Sequence, residues 1–74
     1  GKEDYVVDKL QAREIMGHIR ALPVGYRTVL NLYVFEDKSH REIAQMLNIS
    51  ENTSKSQLFK ARALLRQKIQ NQLV

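Results

Sequence analysis

Apolar residues recur at helical spacing in four stretches, and each stretch is bounded by a residue that starts or stops a helix. Ala12, Ile15, Met16 and Ile19 fall on one helical face and predict a first helix from about Asp8 to Arg20, with Asp8 and Gln11 as a capping pair. Residues 1–7 carry no such pattern and read as a flexible lead-in, so the domain proper is expected over residues 8–74. Pro23 fixes its own φ and pushes Leu22 out of the α region, which ends the first helix and opens a second. Tyr26, Val29, Leu30 and Tyr33 form the buried stripe predicted for that second helix, and Leu32, Val34 and Phe35 widen it. A helix apolar around so much of its circumference is expected at the centre of the core; the alternative is an apolar surface for a partner.

After the polar connector Glu36-Asp37-Lys38, Ser39 and Glu42 have the spacing of a capping box. Ile43, Ala44 and Leu47 give the third helix its inner face. Asn48 sits where the chain must turn sharply, and asparagine tolerates the left-handed backbone region. Ser50 is a good N-cap for a fourth helix running to about Gln70. Ala44 is small where two helices would cross, and Ile49 can plug the angle between them. The fold class predicted is all-α: a four-helix domain ending in a helix-turn-helix.

Charge sharpens this picture. The 74 residues carry a net charge of +4, unevenly placed. Residues 1–37 hold five basic and six acidic side chains; residues 38–74 hold seven basic and two acidic ones, with no acid after Glu51. A basic half of this kind is the footprint of a polyanion binder. No apolar run reaches the length of about 18 residues needed for a membrane span, and there is no secretory signal pattern. The chain lacks cysteine, which excludes disulfides and thiolate metal sites and fits a reducing cytoplasm.

At about 100° per residue, Ser54, Leu58, Ala61, Leu65 and Ile69 share the inner face of the fourth helix. Asn52, Lys55, Ser56, Phe59 and Arg66 then face outward, flanked by Lys60 and Arg62. A phenylalanine among cations and small polar residues needs a cover, and a thymine methyl or base edge in the major groove supplies one. Asn52, Ser56 and Lys60 are placed to reach base edges; Lys55, Arg62 and Arg66 suit the phosphate backbone. His40 and Arg41, at the start of the third helix, also suit a phosphate. His18 and His40 fall on different helices without companion ligands, so no metal or other cofactor is indicated. Gly17 and Gly25 are isolated and make no phosphate loop, and the serines lack a His/Asp team, so no enzyme is expected.

Two segments, LPVGYRTVLNLYVFEDKSHREIAQML and NISENTSKSQLFKARALLRQKI, resemble region four of bacterial sigma factors of the extracytoplasmic-function group. The shared order is Leu-Pro, Tyr-Arg, a hydrophobic helix, Ser-x-x-Glu-Ile-Ala, a turn, Thr-x-Lys-Ser and Ala-Arg-x-x-Leu-Arg, from about Leu22 to Ile69. The resemblance implies recognition of the minus-35 element of double-stranded promoter DNA, with Lys55, Ser56, Gln57, Phe59 and Lys60 matching the family's DNA-reading stretch. It also implies docking on the flap of the RNA polymerase β subunit and, as in many members, cover by an anti-sigma factor. The region that recognises the minus-10 element has no counterpart, so the chain is expected to be a fragment or separate C-terminal domain of a longer factor.

Three positions depart from the family pattern: Asn48 where glycine is frequent, Ser54 where valine is usual, and Gln57 where arginine is frequent. Ser54 is expected to weaken the apolar seam between the helices. The alternatives are a response-regulator-type helix-turn-helix and a protein-interaction module using the apolar second helix and Phe59. The Leu-Pro and Ala-Arg-x-x-Leu-Arg segments favour the sigma pattern.

Overall fold

The computed structural model of the chain describes residues 12–73, and these are helical almost throughout. The expected lead-in and the Asp8–Gln11 cap lie outside the described residues. Helix α1 is described over residues 12–20; it is followed by α2 (Val24–Leu30), a π-helical turn (Asn31–Phe35), α3 (His40–Leu47) and α4 (Glu51–Leu73). Pro23, at φ −51° and ψ 145°, stands immediately before α2 and holds the chain extended there. The corner between α1 and α2 is tied by Arg27, whose guanidinium donates to the Arg20 carbonyl at 2.8 Å. Half-buried His18 of α1 reaches the distal part of α4, with its Nε2 2.6 Å from Gln72 Oε1.

The core joins all the helices. Ile19, Leu22, Val29, Leu30, Leu32, Ile43, Leu58 and Ala61 are buried together, and Ile15, Tyr26, Leu47, Ile49, Leu64 and Leu65 pack around them. Helix α4 packs against both α2 and α3 and so forms the spine of the domain. Met16, expected on the inner face of the first helix, is instead exposed.

The second helix departs from its expected course. It does not run on as a regular α-helix: after Leu30 the chain widens into one π turn, closed by the Glu36 backbone N–H donating to the Asn31 carbonyl at 3.1 Å. Leu32 goes into the core, but Val34 and Phe35 face out, so the expectation of a fully buried helix holds for only one side. Asp37 then takes the left-handed conformation, with φ 56°, which aspartate tolerates better than most residues. That reversal delivers the chain to Ser39 and the start of α3.

The α3 capping box forms as its spacing predicts. The Glu42 backbone N–H donates to Ser39 Oγ at 3.1 Å, and the Ser39 backbone N–H donates to Glu42 Oε1 at 3.0 Å. The Ser39 backbone N–H foremost, and the Ser39 side chain after it, hold the Glu42 carboxyl below its ordinary value. Asn48 ends the helix in the left-handed region at φ 56°, ψ 48°. Ser50 caps α4, its Oγ accepting from the Thr53 backbone N–H at 2.9 Å. The buried Ala44 lies on the inner side of α3, and Ile49 is half-buried in the turn, as the crossing requires.

Candidate nucleic-acid interface

Two capped helices joined by a left-handed turn leave one long face of α4 to solvent. Asn52, Lys55, Ser56, Phe59, Lys60, Arg62 and Arg66 are all exposed on it, while Ser54, Leu58 and Ala61 of the same helix are buried. Phe59 retains 74% of its accessible surface, an unfavourable placement for an aromatic ring in water unless a partner covers it. On a helix turning about 100° per residue, Asn52, Ser56 and Phe59 occupy the middle of this face and Lys60 one border. Lys55, Arg62 and Arg66 occupy the other border.

That second border is the wall of a groove. Tyr33, His40, Lys55, Phe59, Arg62 and Arg66 line an open depression of about 380 Å³ between the π turn, the start of α3 and the middle of α4. Four of the five side chains assigned to phosphate from sequence therefore meet in one place. Arg41, the fifth, is exposed on α3 and does not line the groove. Among the described residues no acidic side chain lines it, and the cations dominate its potential.

Two residues that sequence placed in the core shape this groove. Tyr33 stacks on the His40 ring, with centroids 4.7 Å apart and planes 22° from parallel. The Arg62 guanidinium lies over the Tyr33 ring, 5.6 Å from its centroid, a cation–π arrangement that holds the arginine beside the groove. Ser54 is fully buried, and its Oγ lies 2.8 Å from His40 Nδ1. Beyond the expected loss of apolar seam, the Ser54 hydroxyl bonds across the seam to α3, a contact the sequence reading did not name. The signal was present in the sequence, since a lone polar residue on an apolar helix face requires a partner on the facing element.

Gln57 stands apart from the other residues assigned to base reading. It is half-buried on the flank of α4 that faces α2; a Cβ added to Gly25 would lie 3.8 Å from its Oε1. That oxygen is buried without a hydrogen-bond partner among the described residues. Its position on α4, one residue from Leu58, turns it toward the domain's own interior rather than toward the Phe59 face.

A short capped helix, a left-handed turn and a second helix with a basic outer face define a helix-turn-helix domain. The family model for Sigma-70, region 4, matches residues 12–65, and the chain belongs to that family. It is similar to the ECF RNA polymerase sigma factor SigM of Bacillus subtilis (strain 168), 36% identical over 59 residues, which are 78% of this chain and 36% of that protein. It is also similar to RNA polymerase sigma factor SigV of the same organism, 35% identical over 66 residues, 89% of this chain and 37% of that protein. The chain thus spans little more than a third of the length of these curated relatives. No solved structure gave a significant match.

Proposed function

We propose that this domain recognises the minus-35 element of bacterial promoters and joins it to RNA polymerase during transcription initiation. The observation that carries the proposal is the exposed Phe59 at the centre of a polar and cationic face on α4. In this reading α4 enters the major groove. Asn52, Ser56, Phe59 and Lys60 meet base edges, and Gln57 takes part only by supporting the helix from behind. Lys55, Arg62, Arg66 and His40 hold the backbone along the groove beside them, and Arg41 adds a contact from α3.

Membership of the Sigma-70 region 4 family and the similarity to two sigma factors support the promoter assignment. The outward Val34 and Phe35 at the end of the second helix support docking on the polymerase β flap, or cover by an anti-sigma factor, on a side chain set separate from the groove-lining one. The domain acts by binding, without a catalytic step or a cofactor.

Selection of binding sites from a random duplex pool at low salt tests the DNA reading. An enriched motif, bound with an affinity that falls steeply as salt rises, is the expected result. Retention of duplexes without enrichment, at an affinity indifferent to salt, overturns it and favours a protein-interaction module.

A further inference from the structure

We propose that His40 is a proton-linked phosphate contact, and that Ser54 and Tyr33 are the positioning residues that hold it for that purpose. The inference rests on the DNA-binding reading and assigns one part of it. Two independent contacts restrain the imidazole. Its Nδ1 lies 2.8 Å from the hydroxyl of fully buried Ser54, and one ring face stacks on Tyr33 at 4.7 Å. With Nδ1 engaged by Ser54, Nε2 is the ring nitrogen left for the groove that His40 lines together with Lys55, Arg62 and Arg66.

The hydroxyl partner suits either charge state of the ring. When the imidazole is neutral, Ser54 donates to Nδ1 and leaves the proton on Nε2, which then donates to an anion in the groove. When the imidazole is protonated, the hydroxyl rotates and accepts from Nδ1–H. A carbonyl in its place would fix the proton on Nδ1 and leave the neutral ring no donor for the groove.

The surroundings set the direction of the pH effect. The groups facing the ring are Tyr33 from the π turn and Ser54, Lys55, Arg62 and Arg66 from α4; on its own helix stand Arg41 and Glu42, the latter engaged by Ser39. Lys55, Arg62 and Arg66 line the groove with the ring and would draw a phosphate diester into it. The anion, once seated there, favours the protonated imidazole, so binding takes up a proton. DNA affinity therefore rises as pH falls through the imidazole range, between about pH 8 and pH 5.

The test measures affinity of the chain for a random-sequence duplex at low salt across that range, for the wild type and for His40→Gln, His40→Asn, Ser54→Ala and His18→Gln, each checked for native helicity. Gln places an amide donor near Nε2, whereas Asn keeps only the Ser54 side of the ring. Wild-type affinity is expected to rise severalfold toward low pH, with the same profile in His18→Gln. His40→Gln is expected to lose the pH dependence and to bind more tightly at neutral pH than His40→Asn. His40→Asn should bind about tenfold more weakly at low pH, the scale of one charged hydrogen bond, and Ser54→Ala should fall between them. Wild-type binding whose pH profile survives in His40→Gln, or equal losses in His40→Gln and His40→Asn, overturns this proposal alone. Failure of the wild type to bind any duplex overturns the DNA reading with it.

Discussion

Among the described residues two hold left-handed backbone without being glycine, and both follow helices where the chain must reverse. Asn48, at φ 56° and ψ 48°, sets the angle between α3 and α4, and Asp37, at φ 56°, sets the approach to α3. A β-carbon in that region meets the following carbonyl, and Asn and Asp offset part of the cost by local hydrogen bonding. Asn48→Ala is therefore expected to destabilise the domain by about 1 kcal/mol, and Asn48→Gly to leave stability unchanged or slightly raised, as read by urea denaturation. Equal stability of the two variants would show that the left-handed turn is not under strain. Ala44 makes the complementary argument about volume. It is 7% exposed on the inner side of α3. Ala44→Leu should overpack that site and cost about 1–3 kcal/mol; a wild-type melting temperature in this variant would mean that α3 is free to move aside.

The start of α3 shows how far an element can be read in advance. Ser39 and Glu42 announced the capping box by spacing alone, and both hydrogen bonds form. Ser39→Ala is expected to cost about 1 kcal/mol, the usual value of an N-cap. Glu42 adds a pH dependence of known sign. Its carboxyl is held below the ordinary value of 4.5, so its contribution is complete above that value and fades as pH falls through the lowered folded-state value. Stability of the wild type should thus drop more steeply in acid than that of Glu42→Gln; parallel acid curves would show that the reciprocal bond adds nothing. Local rules of this kind made Pro23, Ser39, Asn48 and Ser50 legible, because each acts through its own backbone. The π turn at Asn31–Phe35 was not legible. Its wider winding leaves apolar spacing nearly unchanged, and only the backbone reveals that Leu32 turns inward while Val34 and Phe35 turn out. The outward face of α4 followed from its period, whereas Tyr33 as a groove wall and Ser54 as a partner for His40 depend on which elements meet, which periodicity along one helix does not specify.

At the scale of the whole domain, the proposed DNA reading divides the exposed face of α4 into a strip that would read and a strip that would hold. In that proposal Phe59 and Lys60 belong to the first strip, and Lys55, Arg62 and Arg66, which line the groove with Tyr33 and His40, belong to the second. The two strips have different thermodynamic signatures. A phosphate contact releases condensed counterions whatever the sequence, so it contributes to the salt dependence of binding on every duplex. A base contact releases few and acts only on the right sequence. Arg66→Ala is therefore expected to weaken binding to selected and random duplexes alike, and to reduce the slope of log affinity against log salt by about one. Lys60→Ala is expected to cost about 1–3 kcal/mol on the selected duplex, with a smaller loss on the random one. Phe59→Ala, which removes no charge, should lower preference while leaving the slope as it is. Titrations of these three variants against both duplexes at several salt concentrations separate the strips. A slope unchanged in Arg66→Ala, or a loss in Phe59→Ala that is equal on both duplexes, would mean that the face is a single electrostatic surface. In that case the aromatic ring at its centre would be covered by protein rather than by a base.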